Sequence, residues 1–316
     1  MESHAQRVDD VLSESLSFKL RAGASYVTDR KSSTFHPSGG DSYGSASGIR
    51  VMKFSCNSDG WMDPSTAKFF MEIHNTSTTT GASLIPLSTN PNIVFRRLRV
   101  MCNGQIVEDI DNYNRVCHMF DVFQSSNKRS NNDVEGFSSL REGKSVVVGF
   151  SLCSGLLNQD KFINLKSAPL VFELELVGNP GDCLNTGSFG GVAYSQSWKI
   201  TEPQLKCDIV ELDSELQNSY AAHLLSGKNL PIHFSIYATN VQTTTGKDNS
   251  LHIARAFTRL KSVFVPMFRA VNAESNETTT YFYHPMQGLT NSAYNRNAEV
   301  EFQLQIGPTL FSEYPM

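Results

Sequence analysis

The chain has 316 residues, a length that at about 150 residues per domain predicts two domains. A hydrophobic share of 40% excludes an intrinsically disordered chain, and a charged share of only 18% leaves room for the Ser, Thr and Asn residues that favour strands, turns and loops over helices. Lys+Arg 27 against Asp+Glu 31 gives a net charge of -4, which excludes a protein that coats nucleic acid by bulk charge.

Residues 1–44 read as an irregular N-terminal arm. Its start, MESHAQRVDDVLSE, is polar and lacks the apolar core of a secretory signal. The stretch HPSGGDSYGSASG (36–48) is loop chemistry throughout, and the arm is not rich in Lys and Arg. No window of the chain approaches the ~18 consecutive apolar residues of a membrane span.

From about residue 49 the pattern is β. Weaker strands are expected at 49–56, 69–74, 95–102, 205–212, 232–238 and 257–268. Strict alternation is clearest at three places. Ser145–Cys153 puts Val146, Val148, Phe150 and Leu152 on one face. Leu170–Val177 puts Leu170, Phe172, Leu174 and Leu176 inward with Glu173 and Glu175 outward. Val300–Ile306 alternates Val300, Phe302, Leu304 and Ile306 with Glu301, Gln303 and Gln305. Period two with one polar face predicts half-buried antiparallel strands. Asn103-Gly104 between RLRVMC and QIVEDI predicts a tight hairpin, because both turn residues must take positive φ.

Two helices interrupt the strands. Asp111–Phe123 carries Tyr113, Val116, Cys117 and Phe120 on one stripe. Ser214–Leu225 carries Leu216, Tyr220, His223 and Leu224, with Ser214 and Gln217 as a capping box and Gly227 as the stop. The second helix falls after some seven strands and marks the joint between domains. Short strands, few helices and polar loops predict a β-sandwich or jelly roll.

Motifs that suggest chemistry lack their context. Gly40-Asp41-Ser42-Tyr43-Gly44 matches a nucleophile elbow but sits in loop sequence on both sides. Gly143-Lys144-Ser145 resembles the end of a P-loop, yet a β-run follows where a helix should start. Ser65–Lys68 fits S-x-x-K without the companion motifs. His4, His36, His74, His118, His223, His233, His252 and His284 form no H-x-H or H-E-x-x-H. Cys56, Cys102, Cys117, Cys153, Cys183 and Cys207 include no C-x-x-C pair, so they read as free thiols rather than a zinc site, in a chain made in a reducing compartment. The sequons at Asn75 and Asn276 carry no weight without a secretory signal. The sharpest basic cluster is Arg96, Arg97 and Arg99. Arg97 and Arg99 share a strand face, which either contacts phosphates or an acidic neighbour, or is a solvated face paired with Glu108 and Asp109 across the hairpin. No catalytic, cofactor-binding or metal-ligating residue is assigned, and the chain is read as non-enzymatic.

Four segments carry a resemblance. They are Gly60-Trp61-Met62-Asp63-Pro64-Ser65-Thr66, in which Trp61 reads as an anchor before a strand and Asp63-Pro64 as a turn; Arg97-Leu98-Arg99 followed by Gly104 and VEDIDNYNRV (107–116); TRLKSVFV (258–265); and the closing FSEYPM (311–316). Over roughly residues 45–316 the chain resembles the double jelly-roll major capsid proteins of Polinton-like viruses, adintoviruses and virophages, within the large-DNA-virus capsid lineage.

The resemblance implies an all-β protein of two jelly-roll β-sandwich domains with a few short helices. It divides the chain into an arm (1–44), a first jelly roll (45–213), a linker helix (214–228) and a second, partial jelly roll (229–316). That last segment holds four or five strands where a full roll has eight, so the chain is expected to be C-terminally truncated or its second domain reduced. The implied function is a capsid subunit of a virion, forming homotrimeric pseudo-hexagonal capsomers. Its partners would be its own copies, neighbouring capsomers and minor capsid or penton proteins, with little nucleic-acid contact and synthesis in the host cytoplasm or nucleus. Loops such as Thr76–Ala82 and Thr239–Ser250 would supply tops and lateral contacts. The alternative is a jelly-roll binding module, lectin-like or for host attachment, with Tyr281, Phe282 and Tyr283 as the nearest thing to an aromatic platform.

Overall fold

The computed structural model describes residues 27–40, 42–44, 50–125, 127, 136–243, 249–267 and 301–311. Its elements run β1 (Val27–Phe35), β2 (Ser42–Tyr43), β3 (Val51–Cys56), β4 (Trp61–Asn75), β5 (Phe95–Cys102), β6 (Gln105–Ile110), α1 (Tyr113–Val122), β7 (Ser145–Phe150), β8 (Ile163–Asn164), β9 (Leu170–Leu176), β10 (Ser188–Phe189), β11 (Val192–Ala193), β12 (Trp198–Leu212), α2 (Ser214–Leu225), β13 (Leu304–Ile306) and β14 (Thr309–Phe311). One sheet is ordered β1-β12-β4-β7, with β2 on β12 and β8 on β4; the other is ordered β3-β9-β5-β6. Counting only the eight principal strands along the chain, the sheets read 1-8-3-6 and 2-7-4-5. The chain therefore crosses between sheets at every step except the β5–β6 hairpin. That is the order of a jelly roll. By contact, the described residues between 31 and 209 and between 231 and 311 form one compact unit, and residues 27–30 with 210–230 form another.

Alternation builds the core as expected. Val148, Phe150 and Leu152 are buried, while Val147 faces out. In β9 every second residue from Leu170 to Leu176 is buried. Phe69 on β4 gathers rings from both sheets: Phe54 edge-on at 5.1 Å, Phe150 at 6.1 Å and Phe172 at 6.3 Å. Asn103 and Gly104 both take positive φ, 50° and 77°, as the hairpin requires.

Several expectations are corrected. Residues 27–35 belong to a sheet, not to an irregular arm. Trp61 opens β4 instead of preceding it, and Asp63-Pro64 lies inside that strand. There Asp63 Oδ1 accepts from Ser65 N and Oγ at 3.1 and 2.6 Å, which makes a local turn within the strand. The cap of α2 is Asp213, whose Oδ2 accepts from Glu215 N at 3.0 Å; Ser214 is already helical. Residues 216, 217, 220, 223 and 224 are the less exposed stripe of α2, but none of the helix is buried. Among the described residues of the C-terminal part the paired strands are β13 and β14, which form one hairpin. The expected strand at 232–238 and the described part of that at 257–268 are not strands, and Phe302 and Ile306 are exposed, not half-buried. Val300, Phe268 and the segment Tyr281–Tyr283 lie outside the described residues.

Candidate functional site

The arginine cluster is built by strand register. β5 pairs with β9 so that Arg97 faces Glu175 and Arg99 faces Glu173, and with β6 so that Arg99 faces Asp109. Arg97 makes a two-pronged bond to Asp109, Nε–Oδ1 at 2.8 Å and Nη2–Oδ2 at 2.7 Å. Arg99 reaches Glu173 at 3.1 Å, Lys53 reaches the same carboxylate at 3.2 Å, and Arg96 lies 3.7 Å from Asp111. Hydrogen bonding to Arg97 holds the Asp109 carboxyl below its ordinary pKa. The face is thus an alternating ladder of paired charges. Of the two readings, the geometry matches the paired strand face. Its partners, however, are Asp109, Glu173, Glu175 and Asp111. Glu108 points the other way.

Glu108 is 1% exposed. Its carboxyl accepts from Ser154 Oγ at 2.5 Å and from Gly155 N at 2.8 Å. Burial pushes its pKa up, against those hydrogen bonds, which pull it down. Beside it, Tyr113 Oη donates to Asn92 Oδ1 at 3.0 Å and accepts from Cys153 N at 2.6 Å. These groups tie β6, α1 and the turn at 151–157 into one buried polar seat. The chain after α2 lies on it. Ile232, Phe234 and Tyr237 pack on the core. Thr239 Oγ1 donates to Asp111 O at 2.7 Å, and the Tyr237 ring sits 5.1 Å from Phe120. A Cβ on Gly155 would overlap the carbonyl oxygen of Ser235. Sequence reading missed this seat, because an isolated Glu in an alternating strand looks solvated; its position on the inward parity of β6, with Ile110, was the available signal.

The remaining motif residues are structural. Ser42 pairs with Thr201 on a two-residue strand. Gly143 takes φ +65° in the turn that opens β7 at Ser145. Ser65 is held by Asp63 inside β4. His74 Nε2 lies 2.7 Å from Thr201 Oγ1 and 3.4 Å from Glu72. Burial, with Arg115 nearby, lowers the pKa of His118. His4 and His284 lie outside the described residues. Asn75 is 2% exposed, and its amide donates to Ala82 O and Leu140 O while accepting from Ser195 Oγ. A glycan cannot be attached to it in the folded protein. The sequon at Asn276 falls outside the described residues.

All six cysteines are free thiols, and burial raises the pKa of Cys56, Cys183 and Cys207. Among the described residues no group of three or more His, Cys, Asp or Glu is placed to hold a metal, and no helix is long and apolar enough to cross a membrane. A cavity of about 110 Å³ is lined by Arg96, Asn112, Asn114, Arg115, Val177, Asp182 and Val241. Arg115 is paired there with Asp182 at 3.3 Å and Arg96 faces Asp111, so the cationic groups are already matched by carboxylates.

What the described surface does present is apolar. Leu251, Ile253, Phe257, Leu260, Val263, Phe264, Val265 and Met267 are all exposed, as are Phe302, Ile306, Leu310 and Phe311. Phe264 touches Phe120 and Phe123, each at 5.8 Å, and Phe123 is itself exposed. This density of bare side chains in one stretch is unlike the scattered singles of an ordinary surface.

No family model and no curated protein matches the chain. Among solved structures it is similar to PBCV-1 VP54 fitted into a reconstruction of the virophage Sputnik, with 13% identity, TM-score 0.46, and coverage of 65% of this chain and 48% of that one. It is similar to the Sputnik virophage structure, with 11% identity, TM-score 0.42 and coverage of 63% and 51%. It is also similar to the mavirus major capsid protein, with 10% identity, TM-score 0.34 and coverage of 64% and 50%. The chain spans about half the length of these proteins.

Proposed function

We propose that the chain is a structural, non-enzymatic subunit of a viral capsid, and that it works by presenting faces to further protein. The observation that carries this reading is the pairing of a complete jelly roll with a following stretch whose apolar side chains, Leu251 to Met267, stay bare. A rigid eight-stranded sandwich supplies walls of fixed geometry. An exposed apolar stretch costs free energy in water until protein covers it. The paired charges of the Arg97 face suit a lateral wall that must not aggregate through an open apolar sheet. The capsid resemblance of GWMDPST (60–66) and VEDIDNYNRV (107–116) adds support: the second runs from β6 through the Asn112 cap into α1.

In this reading the first domain ends at β12, α2 is the linker, and residues 229–316 belong to a second, partial jelly roll. Three copies form a capsomer of near-hexagonal outline within an icosahedral virion, in contact with neighbouring capsomers and with minor capsid or penton proteins. Genome contact is slight at a net charge of -4. The chain is made in the host cytoplasm or nucleus.

Light scattering of the purified chain, with negative-stain images of the same peak, tests the proposal. Trimers of hexagonal outline are expected. A stable monomer at micromolar concentration overturns it.

A further inference from the structure

Residues 231–241 cross the seat of Glu108 as a strap. Ile232, Phe234, Tyr237 and Thr239 are its half-buried side. Among the described residues it pairs with no strand. Its hydrogen bonds to the sandwich are few: Thr239 Oγ1 donates to Asp111 O at 2.7 Å, and Lys161 Nζ to Pro231 O at 3.5 Å. A Cβ on Gly155 would overlap the Ser235 carbonyl oxygen and lie 3.5 Å from Glu108 Oε1. The strap's carbonyl and the buried carboxyl are thus neighbours across one glycine. The carboxyl accepts from Ser154 Oγ at 2.5 Å and from Gly155 N at 2.8 Å, and among the described residues no cation bonds it. The titratable groups around it are Tyr113 and Cys117 on α1, Cys153 on the turn and Tyr237 on the strap. Phenols and thiols stay neutral through the carboxylate range. Val100 stands opposite on β5, while Arg97 and Arg99 lie on the other face of the sheet with Asp109 and Glu173. Elsewhere on α1, Arg115 is paired with Asp182 and neighbours His118. On the strap, His233 is exposed, and Lys261 reaches it only at Ser235 Oγ, at 2.5 Å.

We propose that Glu108 makes this strap a pH-controlled clasp, seated over the protonated carboxyl in acid and lifted when the carboxyl ionises. A buried carboxylate with no cation gains most by reaching water. The sheet and α1 are tied down by hydrogen-bonded backbone, so the strap is the cover that yields. Burial raises the carboxyl above its ordinary value of 4.5 while the strap is seated, and exposure under a lifted strap brings it back toward 4.5. Below pH 4.5 both forms hold the proton and seating is strongest. Above it the lifted form releases the proton first, so lifting gains up to about tenfold per pH unit. The gain levels once the seated carboxyl ionises as well.

The clasp reaches further than its own residues. Tyr237 and Phe264 both rest on Phe120, with ring centroids 5.1 and 5.8 Å away. Lifting the strap therefore also loosens the apolar stretch around Phe264 from α1. The inference stands on the geometry of the seat and does not depend on the capsid reading.

The test digests the native full chain with proteinase K from about pH 4 to about pH 8, mapping the cuts by mass spectrometry. Each rate is divided by that of a free peptide of residues 228–243, which removes the protease's own pH dependence. Cutting within the strap should rise by up to about tenfold per pH unit above about pH 4.5 and then level, while β9 stays uncut throughout. Glu108→Gln should give a flat profile. Gly155→Ala, which unseats the strap by overlap, should be cut fast even at about pH 4 and show no further rise. A flat wild-type profile overturns the proposal. A rise that persists in Glu108→Gln also overturns it, because His233 or another group then titrates. So do cuts in β9 that increase in step with those in the strap, since the whole sandwich is then what opens.

Discussion

Glu108 concentrates the residue-scale argument. A carboxyl that is 1% exposed survives because Ser154 and Gly155 donate to it, not because a cation neutralises it. Its ordinary pKa is 4.5 and burial raises the folded-state value. As pH climbs past 4.5 the unfolded chain releases this proton before the folded chain does, so stability falls through that window and levels once the folded carboxyl has ionised. Glu108→Gln should remove that slope from a plot of urea midpoint against pH. The amide keeps one acceptor but turns a donor toward Ser154 or Gly155, and the cost at low pH should be about 1 kcal/mol. Glu108→Ala leaves both donors buried and unmatched, and the loss should be about 2–4 kcal/mol at any pH. An unchanged slope in Glu108→Gln would show that another group titrates. The arginines teach the opposite lesson: Arg97 is about one-third exposed and bound to Asp109, a pair of the kind whose net worth is about 1 kcal/mol or less.

At the scale of elements, the seat for residues 232–239 depends on one glycine. Backbone passes so close to Gly155 that a Cβ there meets the Ser235 carbonyl. Gly155→Ala should therefore lift residues 232–239 away while leaving the sandwich intact. Limited proteolysis should cut near residues 231–243 about ten times faster, equivalent to about 1.4 kcal/mol of easier local opening. The urea midpoint of the sandwich should barely move. Cleavage at the wild-type rate would mean that Ile232, Phe234 and Tyr237 hold the segment without the close approach. The long strands β4 and β12 belong here too. The first half of each was illegible because Pro64 and Pro203 argue against a strand interior. β7 pairs with β4 only over Phe69–His74, so Pro64 removes no bond on that side. Pro203 follows Glu202, held at φ +50°, where the strand is locally irregular.

For the whole molecule, the complete jelly roll and the bare stretch after it make different demands. The sandwich buries its core between its own sheets. The side chains from Leu251 to Met267 have no such cover among the described residues. A chain ending at Thr243 keeps the sandwich, α2 and the segment seated on Glu108's neighbours. It should melt with a cooperative transition close to that of the full chain, and its mass by light scattering should stay monomeric as concentration rises. The full chain should associate over the same range. If the shorter chain associated equally, the contacts would lie on the jelly roll itself, with exposed Val147 on β7 and Ile106 on β6 the places to look.

Local pattern by itself determined the alternating strands β7 and β9, the Asn103-Gly104 turn and both helices, because each follows from residues a few positions apart: period two, positive φ, an apolar stripe. It also determined that Arg97 and Arg99 share a face. Only the tertiary structure decided what stands opposite that face, since Glu173 is 74 residues from Arg99 and register is set by the buried side of the sheet. The same holds for Glu108 and Ser154, 46 residues apart, and for the cover over Gly155. It decided as well that residues 27–35 are a strand: VTDRKSSTF has no apolar alternation, and sheet membership there comes from the open edge of β12. Periodicity reports which side of a strand is apolar. Which other segment it meets depends on the path of the chain between the two sheets.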